Sequence, residues 1–415
     1  MARRRLALVG TGHRAEMFVR AATREHADKV QLVAFADVNP LRIETHNRWL
    51  SASGFSPLPA YASADVPRML DREKVDALIV TSVDRTHADH IVTALDAGRD
   101  VITEKPMTVD APSCRRILDA VAATGRDVSV AFNYRFNPVH ERVRTLLSEI
   151  GEIGSVHFEW LLDVRHGADY FRRWHRDKAN SGGLLVHKSG HHFDLVNWWL
   201  GAAPVSVYAD GRLFFYGDQG QGFTRPYARG SDAPDDPFAL DLRADPRLKE
   251  LYLDAEAEDG YHRDQNVFAP GVSIEDDMAV LVRYDTGATM TYHLTAYAPW
   301  EGYRVMFNGS KGRLELEVVE SSYAGAAAAH GVTLTLRPFW SPPTPIEMQP
   351  YDRDGHGGAD KRMTAVLMGG VPDPLHRSAT ARDGALALLT GLAANLSLQT
   401  AAPVRVADLL DLTRR

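Results

Sequence analysis

A glycine-rich turn near the N-terminus is followed by a distant carboxylate. Gly10 and Gly12 come directly after the apolar run Leu6 to Val9, within LALVGTGHRA. Glycines at these positions let the backbone turn tightly and approach a pyrophosphate, which the amides at the start of the next helix can bind. Asp37 ends a second apolar run roughly 20 residues further on, where a carboxylate accepts hydrogen bonds from ribose hydroxyls. The pattern predicts a dinucleotide site.

The rest of the turn and the ends of later apolar runs complete the predicted cofactor site. Ala15 is the third small residue of the turn, an allowed variant of the fingerprint. A carboxylate at position 37 repels a 2'-phosphate, so NAD is favoured over NADP, although Arg14 and Arg42 are close enough in sequence to weaken that preference. Taken alone, the glycines also fit an ordinary tight turn after a buried strand. The residues expected to contact the cofactor are Gly10, Thr11, Gly12, His13, Arg14, Asp37, Ser82, His87, Glu104 and Lys105.

The composition is that of a folded, soluble enzyme. The chain has 415 residues, enough for two or three domains, of which 45% are hydrophobic and 24% charged. A formal net charge of -7 argues against nucleic acid or an acidic membrane as the partner. The apolar stretch behind MARRR is too short for a signal peptide, and no run approaches the length of a membrane span. Since Cys114 is the one cysteine, no internal disulfide is possible, and we expect a cytoplasmic protein.

Strand-like runs alternate with helix-like segments up to residue 133, which predicts a parallel, doubly wound sheet. Ligands bind at the carboxyl ends of such strands. The glycine turn, Asp37, the segment TSVDRTH at 81–87 and the sequence Glu104-Lys105-Pro106 should therefore lie together. The predicted strands are Leu6–Gly10, Gln31–Asp37, Ala77–Ser82, Asp100–Lys105 and Asp127–Asn133, and the predicted helices are 13–24, 40–51, 64–71, 86–97 and 110–123.

After residue 133 the chain has mainly strand character, with apolar and polar residues alternating as in a one-sided antiparallel sheet. We therefore predict two domains, 1–133 and 134–415, the second an α+β domain whose open sheet face could cover substrate or a partner subunit. Residues 217–270 form a long excursion with one short helix at Pro246–Glu256, and a terminal helix is expected at 382–400. The predicted strands are Ser155–Asp163, Val205–Phe215, Met278–Tyr284, Thr289–Tyr297, Arg304–Asn308 and Arg313–Val319.

Four ordered landmarks give the chain a resemblance to the Gfo/Idh/MocA family, the relatives of glucose-fructose oxidoreductase and inositol dehydrogenase. They are GTGHRA with Asp37, THADHIVTALDAGRDVITEKP at 86–106, SGGLLVHKSGHHFDLVNWWLG at 181–201 and DGALALLTGLAANLSLQTAAPVRV at 383–406. The resemblance implies an N-terminal Rossmann domain, a C-terminal α/β domain with a large, mostly antiparallel sheet, and NAD(P)-dependent oxidation or reduction of sugar or cyclitol hydroxyls. It also implies a homo-oligomer, a dimer or tetramer, built on the open sheet.

The resemblance assigns chemistry to Lys105 and His191. Lys105 matches the lysine of the EKP motif, which contacts the reacting hydroxyl and assists proton transfer, and a partly desolvated lysine beside the cofactor can have a lowered pKa. The alternative is a surface lysine before a turn at Pro106. In the family that proline is associated with an unusual peptide bond, and cis is accessible at X-Pro bonds. His191 matches the histidine that binds the substrate hydroxyl and acts as general base.

His187 departs from the family pattern, because most relatives carry an aspartate one helical turn before the histidine. That substitution puts the usual acid/base pairing in doubt. His187 and His191 also have the i, i+4 spacing of a helical metal pair, with His192 and Asp194 nearby, but no third ligand is evident. Helix-packing histidines without chemistry are the other alternative. We expect both histidines to serve catalysis and substrate binding, without a metal.

The residues expected to contact substrate are Arg135, Trp174, Lys188, Asp194 and His356. Asp194 follows His191 by one helical turn, so it could anchor either substrate or the helix. An interdomain salt bridge is the alternative for Arg135. Trp174, with His175 and Lys178, could wall a sugar pocket or fill the core. His356 lies in the glycine-rich segment DGHGGAD, while Trp198 and Trp199 are expected to be structural.

These residues predict an NAD-dependent enzyme that removes hydride from a secondary hydroxyl of a sugar, glycoside or cyclitol, with His191 or Lys105 taking the proton. A redox-assisted glycosidase is the second hypothesis. There NAD transiently oxidises C3, the aglycone is eliminated and water replaces it, so no net NADH forms. The third is a non-catalytic protein that senses NAD, against which Lys105 and His191 at reactive positions argue.

Overall fold

The computed structural model describes residues 2–218, 225–322, 331–348 and 356–412. Part of the 217–270 excursion, residues 219–224, and the first two residues of DGHGGAD lie outside these ranges. These described residues build one 7-stranded and one 9-stranded sheet. In the described ranges no helix has both the length and the apolarity needed to cross a bilayer.

The first sheet is parallel apart from one edge strand, β15 (Ala379–Thr380), and its order is β15-β6-β5-β4-β1-β2-β3. The apolar residues of its central strands, Leu6–Val9 and Ala77–Val80 among them, are buried, as expected for a sheet covered by helices on both faces. The strands are β1 Arg4–Val9, β2 Val30–Asp37, β3 Ala60–Ala62, β4 Ala77–Val80, β5 Asp100–Thr103 and β6 Val128–Val130. The helices are α1 Ala15–Arg20, extended by a π-helical turn at Ala21–Glu25, α2 Pro40–Ala52, α3 Val66–Arg72, α4 His87–Asp96 and α5 Ala111–Thr124.

The second sheet is antiparallel except where β7 and β10 pair, and its order is β14-β13-β12-β11-β7-β10-β9-β8-β16. Buried and exposed residues alternate along β9 and β10, which confirms a sheet with one covered face. The strands are β7 Ile153–Asp163, β8 Pro204–Arg212, β9 Asp277–Tyr284, β10 Thr289–Ala298, β11 Trp300–Gly309, β12 Gly312–Ser322, β13 Gly331–Pro338, β14 Thr344–Pro345 and β16 Val404–Arg405. The helices are α6 Pro138–Leu146, α7 Val164–Arg172, α8 Lys178–Ser181, α9 Leu184–His187, α10 Ser189–Leu200, α11 Pro246–Leu248, α12 Glu256–Asp259, α13 Ala359–Leu367, α14 Ala381–Thr400 and α15 Val406–Leu409.

Two of the elements predicted after residue 133 are shorter than expected. The strand predicted at Val205–Phe215 ends at Arg212, because the buried Asp276 carboxylate accepts the backbone amides of Phe214, Phe215 and Tyr216 and turns the chain out of the sheet. The helix predicted at Pro246–Glu256 has α geometry only over Pro246–Leu248 and continues as a π-helix at Lys249–Leu253. In both places local hydrogen bonds override the apolar pattern.

The terminal helix α14 joins the two domains. Thr380 and Asp383 form a capping box at its start, as their spacing favours. Ala385 and Leu388 pack in the core of the first sheet, whereas Leu389 and Ala393 pack in the core of the second. At Gly391 a Cβ would lie 2.4 Å from the Leu185 carbonyl oxygen, so only glycine lets α14 pack this closely against α9. Through this contact α14 positions α9, the helix that carries His187.

Candidate active site

The glycine turn and Asp37 meet at the carboxyl end of the first sheet. Asp37 Oδ2 accepts the Thr11 amide at 2.5 Å and the Thr11 hydroxyl at 2.9 Å, while Oδ1 accepts the Asn39 amide at 2.8 Å. Oδ1 keeps capacity for another donor. Gly10 has a φ of +93°, and a Cβ there would lie 2.4 Å from the Ser82 amide nitrogen. A tight turn and an oriented carboxylate fit the dinucleotide that the sequence predicts.

Residues 245–261 of the excursion, which we call the strap, lie across this turn. The Tyr252 hydroxyl accepts the His13 amide at 2.9 Å and approaches the position of a Gly12 Cβ at 3.3 Å. Asn39 Nδ2 donates to the Ala255 carbonyl at 2.8 Å. The strap thus hydrogen-bonds directly to the turn expected to hold the cofactor phosphates.

Arg42 is held between Asp37 and the strap. Its guanidinium forms an ion pair with Asp259 at 2.8 Å, donates to the Leu251 carbonyl at 3.2 Å and lies 3.8 Å from Asp37 Oδ1. The rings of Tyr252 and Tyr261 lie 5.6 and 5.7 Å from its central carbon. These contacts hold the buried Arg42 guanidinium between Asp37 and the strap.

Arg14 belongs to a charged network at the other side of the turn. It pairs with Glu104 at 2.6 Å and with Asp360 at 3.1 Å, and these two carboxylates raise the pKa of its guanidinium against the opposing effect of burial. His356 Nδ1 lies 2.9 Å from Asn133 Nδ2 and 3.3 Å from Asp360. Two predicted site residues, Arg14 and His356, are therefore linked through Asp360.

Ser82 and His87 belong to the loop after β4. The fully buried His87 ring bridges two loops, with Nδ1 2.8 Å from the Pro106 carbonyl and Nε2 3.1 Å from the Ser82 carbonyl. The Ser82 hydroxyl pairs with Thr86 at 2.7 Å. Because both ring nitrogens have partners, His87 braces the loop that carries Lys105, and Ser82 reaches the glycine turn through its backbone.

Lys105 follows β5 at the same edge of the sheet. The Lys105-Pro106 peptide bond is cis, as the resemblance implied. Burial lowers the pKa of the Lys105 amine from 10.5 to about 8, against the opposing charges of Asp84 and Glu104. At neutral pH an appreciable fraction of this amine is uncharged. The side chain therefore has the lowered pKa required of a proton acceptor.

His187 connects Lys105 to a carboxylate. Lys105 Nζ lies 3.2 Å from His187 Nε2 and donates to the His187 carbonyl at 3.2 Å. The other ring nitrogen, Nδ1, lies 2.5 Å from Asp84 Oδ2. Asp84 and His187 are 3% and 8% exposed, so water barely screens their contact. The structure thus places three ionisable groups in series, in which Lys105 contacts His187 and His187 contacts Asp84.

Three further rings surround His187 and His191. The His175 ring contacts the His187 ring edge-on at 4.2 Å and stacks on Trp174 at 3.6 Å. His191 stacks on Tyr134 at 4.5 Å. Burial lowers the pKa of the His175, His187 and His191 imidazoles well below 6.5, so each is neutral at neutral pH. Neutral imidazoles can accept a proton or a hydrogen bond.

Some polar atoms of this aromatic group have no hydrogen-bond partner among the described residues. They are His175 Nδ1, His191 Nδ1, His192 Nε2 and Trp160 Nε1. Buried polar groups without a partner cost folding free energy and call for an explanation such as a ligand. Lys188 lies in the same group, with Nζ 4.6 Å from the Trp160 ring, and burial lowers its pKa.

Three other predicted substrate-side residues have partners that occupy their charged groups. Arg135 and Asp194 form a buried two-point ion pair at 2.6 and 2.8 Å, a salt bridge within the second domain rather than the interdomain one considered as the alternative for Arg135. Lys178 pairs with Glu275 at 2.5 Å. The indoles of Trp198 and Trp199 donate to the carbonyls of Leu375 and His140, in keeping with a structural role.

Sequence reasoning missed Asp84, Asp360 and the strap residues Tyr252, Ala255 and Asp259. Asp84 lies within TSVDRTH, which was expected at the sheet edge, so its position could be predicted from the sequence, whereas its contact with His187 could not. The strap gave no such signal, since its contacts bridge more than 200 residues of chain. Within the described ranges no three His, Cys, Asp or Glu side chains are grouped to hold a metal, and His187 directs both ring nitrogens to Lys105 and Asp84.

Two family models cover most of the chain. Residues 4–132 match a model described as the oxidoreductase family, NAD-binding Rossmann fold, and residues 144–406 match its C-terminal alpha/beta domain. Both belong to the Gfo/Idh/MocA group. The matched ranges correspond to the two sheets described above.

Relatives with similar sequence or structure carry oxidoreductase names. YteT of Bacillus subtilis, named only as an oxidoreductase, is 32% identical over 414 residues, which cover 95% of this chain and 96% of YteT. An inositol 2-dehydrogenase of Rhizobium meliloti is 31% identical over 208 residues, 49% of this chain and 57% of that protein. The crystal structure of the WlbA dehydrogenase from Bordetella pertussis, in complex with NADH and UDP-GlcNAcA, has a TM-score of 0.67 at 18% identity and covers 97% of this chain and 99% of WlbA, which shows a shared fold.

Proposed function

Because the chain belongs to the Gfo/Idh/MocA oxidoreductase family, we propose that it is an NAD-dependent enzyme that oxidises a secondary hydroxyl of a cyclitol, sugar or glycoside. The observation that carries this proposal is the Lys105 amine. It lies at the sheet edge that holds the glycine turn, it has a pKa lowered to about 8, and it contacts His187. A lysine with only a surface role would have neither the burial nor the partner.

Oxidation of a secondary alcohol removes a proton from oxygen and a hydride from carbon. Nicotinamide supplies the hydride acceptor when it is bound. The neutral Lys105 amine takes the hydroxyl proton and becomes an ammonium, which donates to His187 Nε2 at the observed 3.2 Å separation. The His191 imidazole, neutral because burial lowers its pKa, hydrogen-bonds the same oxygen.

We also propose NAD rather than NADP as the cofactor. The Asp37 carboxylate would repel a 2'-phosphate. The two arginines that could offset this repulsion are already paired, Arg42 with Asp259 and Arg14 with Glu104 and Asp360. No pairing partner would have to be given up for a 2'-hydroxyl to bind at Asp37 Oδ1.

A polyhydroxylated substrate fits the atoms without partners. His175 Nδ1, His191 Nδ1 and Trp160 Nε1 are buried polar atoms that hydroxyl groups could satisfy, since a hydroxyl both donates and accepts. The aromatic faces of Trp174 and Tyr134 suit the C-H surfaces of a sugar or cyclitol ring. The inositol 2-dehydrogenase similar to half of this chain is named for a substrate of this class.

The strap favours one alternative. A redox-assisted glycosidase returns the hydride to its product at the end of each turnover, so its cofactor need not leave. Asn39 and Arg42 hold the strap beside the glycine turn through contacts that do not use the amides of the turn, and a cover of this kind is what a retained cofactor would require. In that case NADH would not accumulate.

One assay separates these functions. The purified protein is incubated with NAD and a panel of inositols, free sugars and aryl glycosides, while NADH absorbance and aglycone release are recorded together. NADH formation without release supports the dehydrogenase, and release without net NADH supports the glycosidase. Binding of NAD with neither signal across the panel would contradict both and favour an NAD sensor.

A further inference from the structure

Asp84 is a buried carboxylate from the loop after β4, on a different element from His187 and Lys105. His187 Nδ1 lies 2.5 Å from Asp84 Oδ2, and His187 Nε2 lies 3.2 Å from Lys105 Nζ. The imidazole is inserted between the acid and the amine.

The hydrogen bonds fix which ring nitrogen carries the proton. An ammonium at Lys105 has only donors, so His187 Nε2 must accept. Nδ1 therefore carries the hydrogen and donates it to Asp84, whose carboxylate accepts. In this assignment both ring nitrogens of His187 have a partner, and the ring orientation is set at both ends.

We propose that Asp84 is a positioning residue, which holds the His187 ring so that Nε2 faces the Lys105 amine and which stabilises the ammonium formed when Lys105 takes the substrate proton. This inference rests on the proposed function for the identity of the reaction. The proton moves from the substrate oxygen to Lys105 Nζ, and the hydrogen bonds to His187 and Asp84 rearrange without a net loss of any proton.

The charged groups around Asp84, His187 and Lys105 differ in how strongly they affect the pKa of Lys105. The titratable and charged groups that act on Asp84, Lys105 and His187 are Arg14, Glu104, Arg173, His175 and Lys188. Of the two carboxylates that raise the pKa of Lys105, Asp84 has the larger effect. Burial raises the pKa of Asp84 itself, and the Lys105 charge opposes that rise. Loss of the Asp84 charge should therefore lower the pKa of Lys105.

The test is the ionisation of Lys105 in the full chain, measured without any substrate. Lysines are acetylated with a trace of acetic anhydride across a pH series, and mass spectrometry follows the Lys105 peptide relative to the exposed Lys361. The midpoint for Lys105 should lie near 8 in the natural protein. In Asp84→Asn, which keeps an acceptor oxygen but no charge, we expect the midpoint to fall by about one pH unit.

Matched variants separate this effect from a general disturbance of the fold. Asp89→Asn removes an exposed carboxylate of α4 that pairs with Arg116 and should leave the midpoint unchanged. Asp84→Ser, with a smaller uncharged acceptor, should shift the midpoint in the same direction as Asp84→Asn. Circular dichroism and thermal denaturation identify any variant that does not fold.

The outcomes distinguish this inference from the proposed function. An unchanged Lys105 midpoint in both folded Asp84 variants would overturn the role of Asp84, even if the panel reveals a substrate. A shifted midpoint in a protein that oxidises no member of the panel would support the positioning role and count against the proposed activity. With a substrate in hand, the pH at which kcat/KM reaches half its maximum should move down by the same amount as the labelling midpoint.

Discussion

The two sides of the reactive edge differ in how their polar groups are satisfied. On the cofactor side, Asp37 has three hydrogen bonds and the strap contacts the His13 amide, Asn39 and Arg42. On the substrate side, His175 and His191 are buried with Nδ1 unpartnered among the described residues. A carboxylate held by several hydrogen bonds is oriented before its ligand arrives, whereas unpartnered buried groups are costly until a ligand supplies the missing bonds.

The lysine pKa values separate the two sides more clearly than the histidine pKa values do. Burial lowers histidine pKa values on both sides, that of His46 beside the glycine turn as well as that of His187. Burial lowers the pKa of Lys105, to about 8, and that of Lys188, both on the substrate side. On the cofactor side the Arg42 cation is held in an ion pair with Asp259. A lysine prepared to exchange a proton thus lies where chemistry is proposed.

The largest expected effect is on turnover when Lys105 is replaced. Lys105→Ala should lower kcat by about 10² to 10⁴, because a positioned proton-transfer group is lost. NAD affinity should remain nearly unchanged, since the glycine turn and Asp37 are intact. The value of kcat is measured with the substrate found in the panel, and NAD affinity is measured by fluorescence titration. Lys361→Ala, at an exposed position on α13, is the control. Normal turnover by Lys105→Ala would show that Lys105 does not carry the chemistry assigned to the substrate side.

The pH dependence of the natural enzyme should show the same amine. The Lys105 amine accepts a proton only when it is neutral, so kcat/KM for oxidation should rise about tenfold per pH unit below the pKa of about 8 and level off above it. His191 is already neutral in this range because burial lowers its pKa. The value of kcat/KM is measured in several overlapping buffers. If it is constant between pH 6 and pH 9, Lys105 does not accept the proton of the substrate hydroxyl.

The cofactor side was more accessible to sequence reasoning than the substrate side. The glycines, Asp37 and the alternating elements are local patterns, so the parallel sheet and its carboxyl edge could be predicted from residues close together in the chain. Lys105 and its cis bond to Pro106 followed from the family resemblance. The ends of β8 and the helix of the strap were wrong, because Asp276 and a π-helical turn override the apolar pattern locally.

The link between His187 and Asp84 could not be predicted in the same way. The two residues are 103 positions apart, and their contact depends on how α9 is seated against α14. Arg135 and Asp194 teach the converse lesson, since both have the residue types of a binding site yet satisfy each other. Residue type narrows the candidates, and pairing in three dimensions decides which of them remain available.

The packing of α9 against α14 can be tested by substituting Gly391. In Gly391→Ala the new methyl would lie 2.4 Å from the Leu185 carbonyl oxygen, a backbone atom that cannot move aside easily. We expect a loss of about 1–3 kcal/mol in the free energy of unfolding, measured by urea denaturation. Gly190→Ala is the control, because nothing lies within 4 Å of its Cβ position and alanine favours the helix. Equal stability of the two variants would show that α14 does not constrain the helix that carries His187.

The smallest effect is expected at the strap. Tyr252→Phe removes the hydroxyl that accepts the His13 amide, a bond worth about 0.5–1.5 kcal/mol. If the strap controls access to the turn, both association and dissociation of NAD should become faster in this variant, by up to about tenfold. Stopped-flow fluorescence on the full chain measures both rates. Tyr261→Phe is the matched control, because its hydroxyl has no partner among the described residues although its ring also lies against Arg42. If Tyr252→Phe exchanges NAD no faster than Tyr261→Phe, the strap covers the turn without controlling access, and the contrast between a closed cofactor side and an unsatisfied substrate side rests on the hydrogen bonds of Asp37 alone.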